Sequence, residues 1–262
     1  RNAGFWVREY LMRLLPLLFA LLLPLAATAD EVRLTNGEWS PYLGQNLPHH
    51  GVASRIVEEA FALEGIRVRW EFYPWARALR SAERGKSDGS AVWLRSPERE
   101  QAFYISDPVV ESGYYLFHRK DRPFDWQQVA DLAPLRLGDA IDYDYGQAFQ
   151  QAERDSLLKV KRLSSEEQGL RMLLAGRLDA FPMDKVVAFD MLHSQFNREE
   201  RLRLSFHPLP LRSDSLHLLL SKQVPGNAER MARFNRGLKA LQDSGRVSQY
   251  LLEIQQPLSL TY

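Results

Sequence analysis

The residues best placed to do chemistry in this chain are aromatic and basic rather than nucleophilic. Trp39 lies in Glu38-Trp39-Ser40-Pro41-Tyr42, directly after a strand-like segment, and Trp75 lies in Tyr73-Pro74-Trp75-Ala76-Arg77, directly after another. Ligands of open parallel α/β sheets bind beyond the carboxyl ends of strands, so both indoles suit a pocket rim. Taken singly, each suits an ordinary core equally well. Ser96-Pro97-Glu98-Arg99-Glu100 follows a third strand-like run at 89–94, and Arg99 alone reads as a solvated helix residue. Asp142-Tyr143-Asp144-Tyr145 offers paired carboxylates, although turn residues after a strand give the same pattern. The six histidines, at positions 49, 50, 118, 193, 207 and 217, are scattered. No H-E-x-x-H, G-x-S-x-G, P-loop or G-x-G-x-x-G occurs. Cys is 0, which excludes disulfides, thiolate metal sites and a thiol nucleophile. No catalytic residue, metal site or cofactor is assigned.

The elements that must hold these residues alternate between period two and period 3.6. Residues 31–36 read as a strand; 51–64 carry Val52, Ile56, Val57, Ala60 and Phe61 at helical spacing and stop at Gly65. In 67–73, Val68, Trp70 and Phe72 alternate with Arg67, Arg69 and Glu71, a strand pattern. Pro74 then opens a helix that Gly85 closes. Further on, strands are predicted at 114–120, 135–140, 178–183 and 215–222. Helices are predicted at 125–130, 146–154, 166–175, 184–196 and 227–242, with a last amphipathic segment after Gly245. No period of 20–50 residues repeats, which disfavours solenoids and propellers. The order βαβα points to an α/β protein, and 262 residues suffice for two cores.

Composition narrows the class. The chain is 45% hydrophobic and 26% charged, which is too apolar for disorder, and Lys+Arg 34 against Asp+Glu 33 creates no field for nucleic acid. Residues 12–29, MRLLPLLFALLLPLAATA, combine a short basic start, an apolar run and the small-x-small site Ala27-Thr28-Ala29. That is the pattern of a cleaved signal peptide, with Met12 as the expected start and 1–29 as extension plus leader. The run is short for a membrane span, and Pro16 and Pro24 fit a core helix poorly. A periplasmic location is therefore expected.

Several of these segments, taken in order, add up to a family. Gly85…Asp88-Gly89, Ser96-Pro97-Glu98-Arg99, Phe103-Tyr104-Ile105-Ser106-Asp107-Pro108 and Gly176-Arg177-Leu178-Asp179-Ala180…Asp184 together resemble the family 3 extracellular solute-binding proteins, the periplasmic receptors of polar amino acid importers. The resemblance spans residues 30–255. It implies a two-lobed periplasmic-binding-protein-like fold (type II), each lobe a mostly parallel sheet flanked by helices and joined by two hinge strands. The first lobe would comprise 30–118 and 216–262, the second 119–215. The resemblance also implies a cleft that closes on ligand. Arg99 matches the arginine that clamps a ligand carboxylate, a task suited to a forked, permanently charged guanidinium. Asp184 matches the acid that receives the ligand ammonium, and Trp39 and Trp75 match the aromatics that sandwich its side chain.

Two departures bear on the ligand. Leu94 stands where the family usually has a hydroxyl residue, and Asp142-Tyr143-Asp144 replaces a Gly-Ser-Thr that faces the carboxylate. Two aspartates beside an anionic group would repel it, so they point away or the ligand carries additional positive charge. The expected function is capture of a small polar solute, an amino acid or related amine, by a monomer that delivers it to ABC permease subunits. Two other classes remain open on this scaffold. One is a periplasmic enzyme resembling a cyclic-acid dehydratase, for which Asp142, Asp144 and Glu38 are the candidate acids or bases. The other is a ligand receptor for a membrane sensor.

Overall fold

In the computed structural model, which describes residues 30–141 and 143–259, eight strands and nine helices alternate much as the periodicity requires. The predicted signal peptide lies outside the described residues, as does Asp142. The first half runs β1 (Asp30–Asn36), α1 (Val52–Leu63), β2 (Ile66–Phe72), α2 (Trp75–Glu83), β3 (Gly89–Leu94), α3 (Pro97–Ala102) and β4 (Phe103–Arg119). The second half runs β5 (Leu137–Ala140), α4 (Gln147–Arg154), β6 (Val160–Leu163), α5 (Glu166–Leu174), β7 (Phe181–Asp184), α6 (Lys185–Gln195), α7 (Arg198–Leu202), β8 (Leu204–Ser221), α8 (Asn227–Asp243) and α9 (Arg246–Ser259).

Six strands form one mixed sheet in the order β2-β1-β3-β8-β4-β7, and β5 pairs with β6 in a second sheet. The pairs β1/β3 and β5/β6 are parallel, whereas every antiparallel pair of known register involves β4 or β8. These two strands are 17 and 18 residues long and run together from Phe103↔Ser221 to Arg119↔Leu204. They are much longer than the predicted 114–120 and 215–222. Their outer halves carry Pro108, Pro208 and Pro210 and no clean alternation, so local pattern hid strands that long-range pairing creates. The predicted helix at 125–130 is instead a short 3₁₀ turn at Val129–Leu132, and Trp126 packs into the core beside it. Strand β6 and helix α7 were not predicted; each is only four or five residues long.

Helix boundaries follow from capping. Ser96 accepts a hydrogen bond from the Arg99 amide and Pro97 takes the first helical position, so α3 starts where its sequence says it should. Ser165 caps α5 through Gln168 in the same way. The larger core gathers Val32 and Leu34 of β1, Ile56 and Phe61 of α1, and Phe234 and Leu238 of α8, then continues into Leu170, Phe181 and Val187. Phe61 and Phe234 meet at 4.8 Å. Gly237 makes this possible: a Cβ there would land on the Ala60 carbonyl, so only glycine lets α8 lie this close to α1. A second core sits under β5 and α4, built from Leu116, Trp126, Leu132, Tyr145 and Phe149.

Candidate functional site

The predicted site residues fall into two groups of opposite charge that meet at Tyr143 and Asp144. The basic group begins at the end of β3. Arg99, in the first turn of α3, is half-buried; its guanidinium lies 4.9 Å over the Trp93 ring and donates to the Leu94 carbonyl. Trp93 meets Trp75 edge-on at 5.1 Å and donates its indole N–H to Ser90. Trp75, the first residue of α2, is half-buried and lies flat on Gly37, where any Cβ would enter the indole. Leu94 thus meets the guanidinium through its backbone oxygen. Among the described residues no carboxylate lies within ion-pair distance of Arg99. Burial lowers its proton affinity most, while the charges of Asp144 and Glu98 raise it and Arg212 lowers it. Asp144 and Arg212 are therefore close enough for their charges to act on Arg99.

Asp144 does not act as a repulsive charge. Arg212 of β8 pairs with its carboxylate at 2.6 Å and donates to its carbonyl, while Asp214 holds the same guanidinium from the other side. Burial pushes the Asp144 carboxyl up, but the Arg212 hydrogen bond, the Gly146 amide and Arg99 outweigh it and hold it below the usual range. The sequence raised two possibilities, aspartates that point away or a ligand with additional positive charge; at Asp144 the structure shows a third, a cation of the protein itself beside the carboxylate.

The acidic group lies around the N-terminus of α6. Asp184 is 1% exposed and fully used: one oxygen caps the amides of Val186 and Val187, and the other accepts from the Ser112 hydroxyl at 2.8 Å and the Gly113 amide. Burial still drives its proton affinity upward. Beside it, Glu166 is 7% exposed; one oxygen accepts from the Tyr143 hydroxyl at 3.3 Å and the other has no hydrogen-bond partner. Burial first, and the Asp184 charge second, push the Glu166 carboxyl up to about 7. Burial also raises the phenols of Tyr42, Tyr114 and Tyr143, and each of these senses the Asp184 charge. Tyr42 stacks on Trp39 at 4.7 Å, which brings the loop after β1 to the acidic end. The indole N–H of Trp39 is buried without a partner.

Trp93, Tyr42, Glu166 and Arg212 were missed. Tyr42 stood inside the Trp39 motif and Trp93 six residues ahead of Arg99, so both had a local signal. Glu166 follows Ser165 and reads as an ordinary acid in a first helical turn. Arg212 had none, since its place depends on the β4/β8 register. Other candidates disperse: Glu38 is exposed and accepts from the Gln45 amide, and His207 contacts Asp125. Among the described residues no cluster of three His, Cys, Asp or Glu could hold a metal, and no helix is long and apolar enough to cross a membrane.

A sequence model of the bacterial extracellular solute-binding proteins, family 3, matches residues 34–253, which is most of the chain. The chain belongs to that family. Solved structures agree on the fold of this solute-binding protein. An ancestral arginine-binding protein bound to arginine superposes with a TM-score of 0.68 at 18% identity, over 86% of this chain and 97% of the other. The amino acid ABC transporter substrate-binding protein AbpA of Streptococcus pneumoniae, bound to L-arginine, gives 0.66 at 16% identity, over 87% and 96%. A histidine kinase sensor domain with similarity to periplasmic binding proteins gives 0.67 at 20%, over 86% and 96%. No curated protein matches by sequence. The solute-binding protein thus shares the type II periplasmic-binding fold, and its family is one of solute-binding proteins.

Proposed function

We propose that this protein captures a small zwitterionic or cationic solute, an amino acid or related amine, between two lobes and hands it to ABC permease subunits as an exported, periplasmic monomer. The observation that supports this most is the polarity of the site. Arg99, without a carboxylate partner, stands at one end, and the buried acids Asp184 and Glu166 stand at the other, with Tyr143 and Asp144 between them. A ligand carboxylate would dock on the Arg99 fork and an ammonium near Asp184, with Trp39 and Trp75 against the side chain and Leu94 orienting the guanidinium. Because Asp184 already accepts four hydrogen bonds, its part is to supply charge and aim α6, while Glu166 and Tyr143 offer free acceptor capacity. The lobes expected at 30–118 with 216–262, and 119–215, hinge on the β4/β8 ribbon. Ser215 pairs with Glu111 and His118 with Ser205, so a crossing at 215 on β8 falls near 111 on β4, about seven residues before the expected boundary at 118.

Of the acids and bases named for the enzyme alternative, Asp144 is held ionised by Arg212, Glu38 is exposed, and Asp142 lies outside the described residues. Thermal-shift screening of amino acids and amines, followed by calorimetry, tests the reading. A ligand of the native state stabilises by RT ln(1 + [L]/Kd), about 2.7 kcal/mol at a hundredfold excess over Kd. Arg99→Ala should weaken a carboxylate-bearing hit by about a hundredfold, as expected for a lost charged hydrogen-bond pair. Unchanged affinity in that variant defeats the assignment.

A further inference from the structure

We propose that the solute-binding protein carries a second site, separate from the cleft, that binds a small phosphate-type polyanion in a basic cup formed by the end of β2, helix α2 and the loop that follows it. The cup has a volume of about 300 Å³. Arg77, Arg80, Arg84 and Lys86 line it, against a single carboxylate, Glu71. Glu71 is already engaged by the Tyr73 hydroxyl at 3.2 Å, and the Arg77 guanidinium lies 4.3 Å over the Tyr73 ring. Among the described residues none of the four cations has a carboxylate within ion-pair distance. Many arginines elsewhere are ion-paired, among them Arg55 with Glu59, Arg136 with Asp179, Arg162 with Glu153 and Arg246 with Glu59.

An excess of three positive charges in one concavity is not a consequence of overall composition, because the whole chain carries only +1. Like charges gathered without counter-charge repel one another, and an anion that bridges them removes that cost. Three of the four are arginines, whose planar forks match the oxygens of phosphate. The hydroxyls of Ser81 and Ser87, hydrogen-bonded to each other at 2.8 Å, complete the lining with uncharged polar groups. A monovalent anion would leave most of the excess charge uncompensated, so the site prefers a ligand with two or more negative charges. The phosphate can belong to a soluble polyanion or to a lipid headgroup, and the chemistry of recognition is shared.

Isothermal titration of the full chain with pyrophosphate, at low and at physiological salt, tests the proposal. Binding is expected at one site and is expected to weaken as salt rises. Arg80→Ala/Arg84→Ala should reduce affinity by at least about tenfold, since two charged hydrogen-bond donors are lost. Lys86→Glu, an exposed position whose reversal leaves the core untouched, should do the same. Arg99→Ala should bind pyrophosphate like the parent. Retention on phosphatidylglycerol vesicles, reversed by pyrophosphate, assigns the anion to a headgroup; pyrophosphate binding without retention assigns it to a soluble polyanion. Absence of pyrophosphate binding, equal competition by chloride, or binding lost in Arg99→Ala and kept in the cup variants overturns the proposal. None of those results bears on the cleft reading, which stands or falls with the amino acid and amine screen.

Discussion

Glu166 makes the most quantitative test of the site's electrostatics. Its carboxyl is held up to about 7 against an ordinary value of 4.5, because it is buried and shares its surroundings with Asp184. In the unfolded chain the same group ionises freely near its ordinary value. Between the two values the folded protein binds the proton and the unfolded chain does not, so stability falls as pH rises through that window. One pH unit of difference in proton affinity is worth about 1.4 kcal/mol, giving a loss on the order of 3 kcal/mol once both states are ionised. Glu166→Gln keeps the side-chain shape and cannot ionise. Its stability relative to the parent should be near constant below about pH 4.5 and should improve by about 3 kcal/mol between there and about pH 8. Urea unfolding of both proteins across this range reads the difference directly. Asp139, which burial holds up to about 6, is present in both and cancels in the comparison. A variant whose advantage is the same at both ends of the range refutes the buried ionisable pair. Saturation with an amine cation should flatten the parent's pH dependence, because the ligand then supplies the positive charge that the proton supplied before.

Three further outcomes follow from particular contacts. Gly37→Ala puts a methyl where the Trp75 indole lies, so it should shift the tryptophan emission and weaken cleft binding several-fold while urea stability falls by only about 1–3 kcal/mol, the usual cost of overpacking. Arg212→Ala removes the cation that neutralises Asp144; affinity for a carboxylate-bearing solute should fall, and should fall less in Arg212→Ala/Asp144→Asn, as double-mutant calorimetry would show. Asp184→Ala strips the cap from α6 and leaves Ser112 and the Gly113 amide without their acceptor. It should cost about 2–4 kcal/mol in urea unfolding, and a loss below about 0.5 kcal/mol would contradict the fourfold hydrogen bonding.

Sequence pattern revealed the parts of this fold that are locally encoded. The α1 stripe of Ile56, Val57, Ala60 and Phe61 and the Ser96-Pro97 start of α3 could be read directly, because capping and helical periodicity act within a few residues. The long reach of β4 and β8 could not, since residues such as Pro108 and Pro210 are strand residues only by virtue of their partner. The site divides along the same line. The two tryptophans follow strands, where position alone suggests a pocket, whereas Arg99 alone read as a solvated helix residue and entered through the resemblance to the family. Asp184, Tyr143 and Leu94 came from the ordered resemblance to the family. Glu166 and Arg212 belong to the site through contacts across 23 and 68 residues, which no window along the chain can register.

The strand order has a consequence for how the molecule is made. Strand β8 sits between β3 and β4, so the middle of the main sheet is filled by the last strand to be synthesised. Until residues 215–221 arrive, the facing edges of β3 and β4 have no partner and much of the larger core is open to water. Contacts this distant in sequence form slowly, and nascent chains with bare strand edges are prone to associate. The main sheet of this protein is therefore completed only once residues 215–221 have been made, so its first half depends on the end of the chain for the strand that closes it.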